Sequence, residues 1–385
     1  MNSLGTELDT PWSHESWRTT LLAEPHRQDA AVARHYASAL PISYATETDP
    51  AQAIRDVAEV ERLDVDSVAL TFTTTDASAP YENLKIYAVG KPAPLNEVLP
   101  ILSSLGVNAL DERPAALTRP DGRRAWIYDL TVDLAAVTDG HGATRDSRIA
   151  DAFRAAWTGE TEVDGFNALV LHAGLGWRQV TVLRAYAAYL RQAGLPYSRS
   201  NVERVLLGDT AITQLLVELH ALRLDPGIGR DAAAEEALEG RIGDAIDAVA
   251  GIDADRILRA LLSLIRATTR TTYYAGDRRP GRALAFKFDS SSIDELPLPR
   301  PKYEAYVYSP RMEGVHLRFD DVARGGLRWS DRRDDFRTEV LGLVKAQAVK
   351  NAVIVPTGAK GGFFARRATA APDRDAWLAE GRAAY

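Results

Sequence analysis

Residues 323–363 read A-R-G-G-L-R-W-S-D-R-R-D-D-F-R-T-E-V-L-G-L-V-K-A-Q-A-V-K-N-A-V-I-V-P-T-G-A-K-G-G-F, and their order decides what the C-terminal part of the chain can be. A glycine-rich opening, Arg324-Gly325-Gly326-Leu327-Arg328, leads into a helical run at 336–350, an apolar run at 352–355 and a glycine-rich close at 357–362. From Val340 to Pro372 there is neither Asp nor Glu, while Lys345, Lys350, Lys360, Arg366 and Arg367 are all present. Cations fixed among glycines and apolar residues describe a pocket for a small anion.

The helical run is long enough to span roughly 22 Å. Asp331, Asp334 or Asp335 can cap its start and complement its dipole. Val340, Leu343, Gln347 and Lys350 share one face, and Leu341, Val344 and Ala348 make the adjacent face apolar. Such a helix is expected to be buried nearly all round, with Gln347 and Lys350 projecting into protein. A buried lysine needs an anion or it gives up its charge. The run at 352–355 reads as a short strand ended by Pro356. The T-G-A-K-G-G that follows reads as a tight loop carrying Lys360, its glycines letting backbone and ligand approach closely. An amine kept from water beside like charges loses its proton more readily, and a neutral lysine can act as a general base or form a Schiff base. In R-G-G-L-R, glycines beside arginine let a guanidinium and exposed amides clamp a carboxylate. The lysine loop is not a Walker loop, since no Ser or Thr follows the lysine. Lys345 suits a surface lysine and Arg332-Arg333 a solvated turn.

The rest of the chain narrows the classes. A formal net charge of −7 over 385 residues does not suit nucleic acid or an acidic membrane. Within 323–367 the balance reverses, which favours a carboxylate or phosphate ligand over a polyanion. There is no cysteine, hence no disulfide framework, thiolate nucleophile or cysteine metal site. The histidines (His14, His26, His35, His141, His172, His220 and His316) show no ligand spacing, so no metal is expected; His172 and His220 read as packed helix residues. The first residues lack the features of a signal peptide, and no run is long and apolar enough for a membrane helix, so a cytoplasmic protein is the default. The final D-R-D-A-W-L-A-E-G-R-A-A-Y reads as a helix without a capping Gly or Pro, as if the chain stopped inside an element.

Four stretches follow along the chain: 1–45, mixed helix and loop; 46–140; 146–275, almost wholly helical; and 285–385, beyond a Pro- and Gly-punctuated boundary. In the second, helical stripes at 50–63 and 94–105, strands at 67–74 and 84–89, and a hairpin of 107–117 with 125–134 around R-P-D-G give the order helix-strand-strand-helix-strand-strand. That order is close to a ferredoxin-like sandwich, the plan of small ACT-type domains. Helices are expected at 178–191 and 257–265, and strands at 303–308 and 314–319. The fold class is a multidomain α+β and α/β chain.

The 323–363 stretch, together with Y-V-Y-S-P-R-M-E-G-V-H-L-R-F, D-G-F-N-A-L-V-L-H-A-G-L-G-W-R and R-P-D-G-R-R-A-W-I-Y-D upstream, resembles the large bacterial NAD-specific glutamate dehydrogenases. The resemblance covers most of 40–385. It implies an ACT-like domain, a helical middle domain and the start of an α/β substrate-binding domain. It also implies that Lys360 is the catalytic lysine, activating water against an iminium carbon. By the same resemblance, Lys350 and Gln347 hold the substrate α-carboxylate. Arg324, with Gly325 and Gly326, stands where smaller relatives place a lysine for a substrate carboxylate. The cofactor is NAD, with its domain and the catalytic aspartate expected beyond Tyr385, and the complete protein is expected to self-associate. No G-x-G-x-x-G in a βαβ setting occurs in this chain, so it is expected to be inactive alone. Two other readings are an amino-acid-sensing module built on 50–134, and a pyridoxal-phosphate enzyme using Lys360. The second is disfavoured because no Asp or Arg partner for that cofactor is evident.

Overall fold

A computed structural model describes residues 14–23, 30–73, 81–134, 143–275, 283–319, 325–351 and 358–385, with the backbone alone at 14, 23, 30–33 and 347–351. The chain divides into two compact units, Met1–Trp157 and Thr158–Tyr385.

In the first unit α1 (His14–Ala23), α2 (Ala30–Ala39), α3 (Ile42–Glu47) and α4 (Pro50–Arg62) precede β1 (Val68–Phe72) and β2 (Glu82–Val89). Then come α5 (Leu95–Ser104), the hairpin of β3 (Val107–Thr118) and β4 (Arg124–Leu134), and α6 (Ala143–Trp157). Asp49 caps α4, accepting from the Gln52 amide at 2.9 Å, with Pro50 at the first helical position, where its missing N–H costs nothing. Gly106, left-handed at φ +83, follows the last turn of α5. The sheet is antiparallel throughout in the order β1-β2-β4-β3. One face, carrying Tyr87, Val89, Ala125 and Ile127, packs with Trp17, Tyr36, Tyr44, Val57 and Val60 of the first four helices. A buried ion cluster fastens α4 to β2: Asp56 accepts from Lys85 Nζ at 2.7 Å, Tyr87 Oη at 2.9 Å and Gln52 Nε2 at 2.6 Å.

In the second unit α7 (Leu169–His172), α8 (Trp177–Ala193), α9 (Arg199–Gly208), α10 (Thr210–Leu224), α11 (Ala232–Asp247) and α12 (Ile252–Ala267) come first. They are followed by β5 (Thr268–Thr271), β6 (Leu284–Asp289), β7 (Tyr303–Tyr308), β8 (Met312–Arg318), β9 (Leu327–Trp329), α13 (Phe336–Asn351), β10 (Ala359–Ala365) and α14 (Arg374–Ala384). The six strands run β5-β6-β7-β8-β10-β9, antiparallel except that β9 lies parallel to β10. Helix α8 ends at Gly194, left-handed at φ +98, and lies on the sheet through aromatic contacts. Tyr186 stacks on Phe286 with ring centroids 4.5 Å apart, and Tyr189 meets Phe288 at 4.6 Å and Tyr306 at 5.3 Å. Among the described residues no single helix is long and apolar enough to cross a membrane.

Two expectations fail here. Lys360, Gly361 and Gly362 are not in a loop; they are the second to fourth residues of β10, paired with Leu317, His316 and Val315 of β8. Nor is α13 buried all round. Phe336, Val340, Leu341 and Val344 are buried, but Gly342, Leu343 and Ala346 are exposed. Both faces are apolar in composition, so periodicity could not say which one the sheet would cover. The strand expected at 352–355 lies outside the described residues.

Candidate active site

Helix α13 sits on β10 at close range, and a glycine makes that possible. A Cβ on Gly362 would lie 2.4 Å from Cγ2 of Val340. A Cβ on Gly361 would lie 2.2 Å from Cδ2 of Leu327, and one on Gly325 only 1.4 Å from the carbonyl oxygen of Ala359. Gly325, Gly361 and Gly362 therefore serve strand-to-strand and helix-to-strand packing, while a Cβ on Gly326 would meet nothing within 4 Å. Gly362→Ala is expected to cost about 1–3 kcal/mol, because α13 must move off the sheet. A thermal midpoint unchanged from the parent would contradict that.

The same close packing joins the two glycine motifs. The Gly361 amide donates to the Gly326 carbonyl at 3.1 Å, and Gly361 is in register with Leu327. A cleft of about 390 Å³ opens beside them, lined by Gly326, Leu327, Arg328, Trp329, Leu343, Lys360 and Gly361. Lys360 thus reaches the cleft from β10, Arg328 from β9 and Leu343 from α13. The Arg328 guanidinium pairs with Glu339 on the first turn of α13. Ser330 Oγ donates to the same carboxylate at 2.6 Å. The Trp329 indole stacks on Trp377 of α14, with centroids 3.8 Å apart and planes 14° from parallel.

Of the residues expected to form the site, Lys360 and Gly326 line this cleft, and Gly325 packs against the start of β10. Arg324 lies outside the described residues. Gln347 and Lys350 lie on the backbone of α13, and their side chains are outside the described residues. Arg366, counted among the cations of an anion pocket, is not among the residues lining this cleft. It lies in a buried network, with Nε 2.9 Å from Glu313 Oε1 and a terminal nitrogen on Glu162. Two features were missed. Arg328 shares the cleft with Lys360, and the R-G-G-L-R spacing held that signal. Glu304 and Arg337 form a buried pair joining β7 to the first turn of α13, with Arg337 Nε 2.9 Å from Glu304 Oε2. Tyr189 Oη donates to that same oxygen at 2.8 Å. The Gln192 side chain on α8 donates to the Arg333 carbonyl at 2.8 Å. Helix α8 therefore holds the N-terminus of α13, and with it one side of the cleft.

The charge around Glu162 is opposed by burial and set by cations. Burial works against its charged form, yet Arg366 and Arg199 bring its carboxyl down to about 2. The described residues do not fit a dinucleotide. The sheet's one parallel pair, β9 with β10, leaves its glycines packed between strands and under α13 rather than open at a strand-to-helix turn.

Residues 241–385 match the family described as bacterial NAD-glutamate dehydrogenase, catalytic domain. Residues 161–226 match glutamate dehydrogenase, helical motif 3, while 67–144 match its ACT3 domain and 25–63 its helical motif 2. The chain belongs to the bacterial NAD-glutamate dehydrogenase family. It is 50% identical over 374 residues to the NAD-specific glutamate dehydrogenase of Mycobacterium tuberculosis, covering 92% of this chain and 23% of that protein. It is 40% identical over 379 residues to the enzyme of the same name from Halomonas elongata, covering 96% and 23%. Against that of Pseudomonas aeruginosa it is 47% identical over 309 residues, covering 78% and 19%. The chain thus spans about 23% of the length of the first two of these dehydrogenases.

Proposed function

We propose that this chain carries the substrate half of a glutamate dehydrogenase site, the complete protein converting L-glutamate, NAD and water to 2-oxoglutarate, ammonium and NADH. The observation that carries the reading is one cleft that Lys360 lines from β10 beside backbone-packed glycines, with Arg328 of β9, paired to Glu339, along its edge. A dicarboxylate with an amine at its reacting carbon needs two cationic subsites and one amine able to give up a proton. Lys360 is assigned as that amine, holding or moving a proton on the water that attacks the substrate's iminium carbon. Lys350 and Gln347 are assigned to the α-carboxylate. They follow Leu343 by seven and four positions, and so share the helix face that borders the cleft. Arg324, with Gly325 and Gly326, is assigned to a substrate carboxylate. NAD supplies the hydride acceptor when bound, and its site is assigned to residues other than these. A cytoplasmic location goes with this reading.

We also infer that the first unit's sheet is of the ACT-like, ferredoxin type. Its order β1-β2-β4-β3 supports this, because β2 and β4 occupy the two central positions and β1 stands where the last strand of that plan would. Fold alone does not carry an amino-acid-sensing role, so the catalytic reading is preferred.

Calorimetric titration of 2-oxoglutarate into this chain, beside its Lys360→Ala variant, tests the assignment. Saturable binding that weakens at least about tenfold in the variant is expected, the loss of one charge-assisted contact. Equal affinity for both proteins would remove Lys360 from the site. No binding to either would overturn the cleft as a half-site that forms from these residues.

A further inference from the structure

Among the described residues two cations, Arg328 and Lys360, line the cleft, and the sheet register fixes how they stand to one another. Arg328 of β9 is paired with Gly362 of β10, and Lys360 precedes Gly362 by two positions. Paired residues, and residues two apart on one strand, share a sheet face. Gly362 lies under Val340 of α13, so Arg328 and Lys360 both stand on the face that α13 covers. A strand spacing of about 4.8 Å and a rise of about 3.3 Å per residue put their Cα atoms roughly 8 Å apart on the diagonal. The position level with Lys360 is Gly326, where a Cβ would meet nothing within 4 Å. The floor between the two cations is therefore open.

Helix α13 adds a direction. Glu339, Leu343 and Gln347 follow at four-residue steps and, with Lys350, form one stripe along the helix. Glu339 meets Arg328 at the N-terminal end of the stripe, and Leu343 borders the cleft. Gln347 and Lys350, assigned to the α-carboxylate, lie toward the other end. Arg328 is thus placed for a different part of the substrate.

Its guanidinium is also held in one orientation. Glu339 takes Nε, and the other oxygen of that carboxylate accepts from Ser330 Oγ at 2.6 Å. Ser330 is 1% exposed; its amide donates to the Phe363 carbonyl at 2.9 Å and its Oγ accepts from the Arg332 amide at 3.1 Å. The Arg328 side chain is 52% exposed, and among the described residues neither of its terminal nitrogens has a hydrogen-bond acceptor. A guanidinium presents two bidentate edges, so with Nε engaged the edge formed by Nη1 and Nη2 remains for a second carboxylate.

We propose that Arg328 grips, through that edge, the substrate carboxylate farther from the reacting carbon, and that Glu339 is its positioning residue. The assignment deepens the glutamate reading of the cleft and rests on it. It makes Arg328 a selector of dicarboxylates over monocarboxylates of equal chain length, because a methyl in place of the distal carboxylate leaves the edge without a partner.

The test is calorimetric titration of the 385-residue chain with 2-oxoglutarate and with 2-oxopentanoate, which has the same carbon chain but no distal carboxylate. The parent is expected to favour 2-oxoglutarate by about tenfold, the value of one charge-assisted pair. Arg328→Met should erase that preference by weakening 2-oxoglutarate and leaving 2-oxopentanoate unchanged. If it fails to fold, Arg328→Lys takes its place, a cation without the fork that should keep less than half of the preference. Glu339→Ala should lower the preference about threefold, and Glu339→Gln, whose amide oxygen still accepts from Nε, should restore it. A rise in the preference in both Glu339 variants would mean that its charge only repels the ligand, and would overturn the positioning role. A preference that survives in the Arg328 variant overturns the assignment while a Lys360-dependent cleft stands. No binding of 2-oxoglutarate by the parent overturns the glutamate reading and this inference together.

Discussion

Glu304→Ala is expected to destabilise the second unit by about 3–5 kcal/mol, the cost of stranding one charge of a buried pair. Glu304 and Arg337 are each 1% exposed, so water cannot take the place of the lost carboxylate. Tyr189 Oη, which is also buried, loses its acceptor in the same step. The double variant Glu304→Leu/Arg337→Met should recover most of the loss, because it removes both charges and leaves an apolar contact of similar volume. Urea unfolding of the parent, the single and the double variants measures this. A single-variant loss below about 1 kcal/mol would show that solvent reaches the pair. The stakes are functional, because Arg337 is in the first turn of α13 and that helix forms one side of the cleft with Lys360.

The second large effect depends on pH. Glu162 has a carboxyl brought from an ordinary 4.5 to about 2 in the folded state, against the opposing effect of burial, by Arg366 and Arg199. A depressed folded-state value contributes stability that is fully present above the unfolded value and is lost as pH falls toward the folded one. The window is therefore pH 4.5 down to 2, and the amount is about 3 kcal/mol. Glu162→Gln should be less stable than the parent at neutral pH, with the gap narrowing steadily as pH drops below 4.5. A gap that stays constant from neutral pH to pH 3 would show that Glu162 ionises alike in folded and unfolded chains. Glu162 also accepts from Tyr308 of β7, so the acid-sensitive network reaches the sheet that carries Lys360.

Much of the fold was legible because strands and turns announce themselves locally. Y-E-A-Y-V-Y alternates, and β7 does place Glu304, Tyr306 and Tyr308 on its buried side. The same alternation set a glutamate among inward-facing tyrosines, a signal for a buried partner that local reading passes over. The hairpin around R-P-D-G was readable because its turn needs the left-handed residue that Gly122 supplies at φ +82. The glycines beside Lys360 were harder. Gly361 and Gly362 look like a loop in one dimension, whereas in three they clear space for Leu327 and Val340. Arg366 shows the other limit. Glu162, which neutralises it, lies 204 residues earlier, and no spacing rule reaches that far. The cationic character of 323–367 was therefore overcounted by sequence, while the cleft that pairs Lys360 with Arg328 was foreshadowed by the glycine motifs themselves.

The stacked indoles of Trp329 and Trp377 have an optical consequence. Two such chromophores with centroids 3.8 Å apart couple their ultraviolet transitions, and a coupled pair gives circular dichroism of paired opposite sign where isolated indoles give little. One indole belongs to the strand bordering the cleft and the other to the last helix. The seating of that helix against the cleft's edge is thus written into a spectrum that needs no label, and any ligand that shifts β9 against α14 would register there as a change of amplitude.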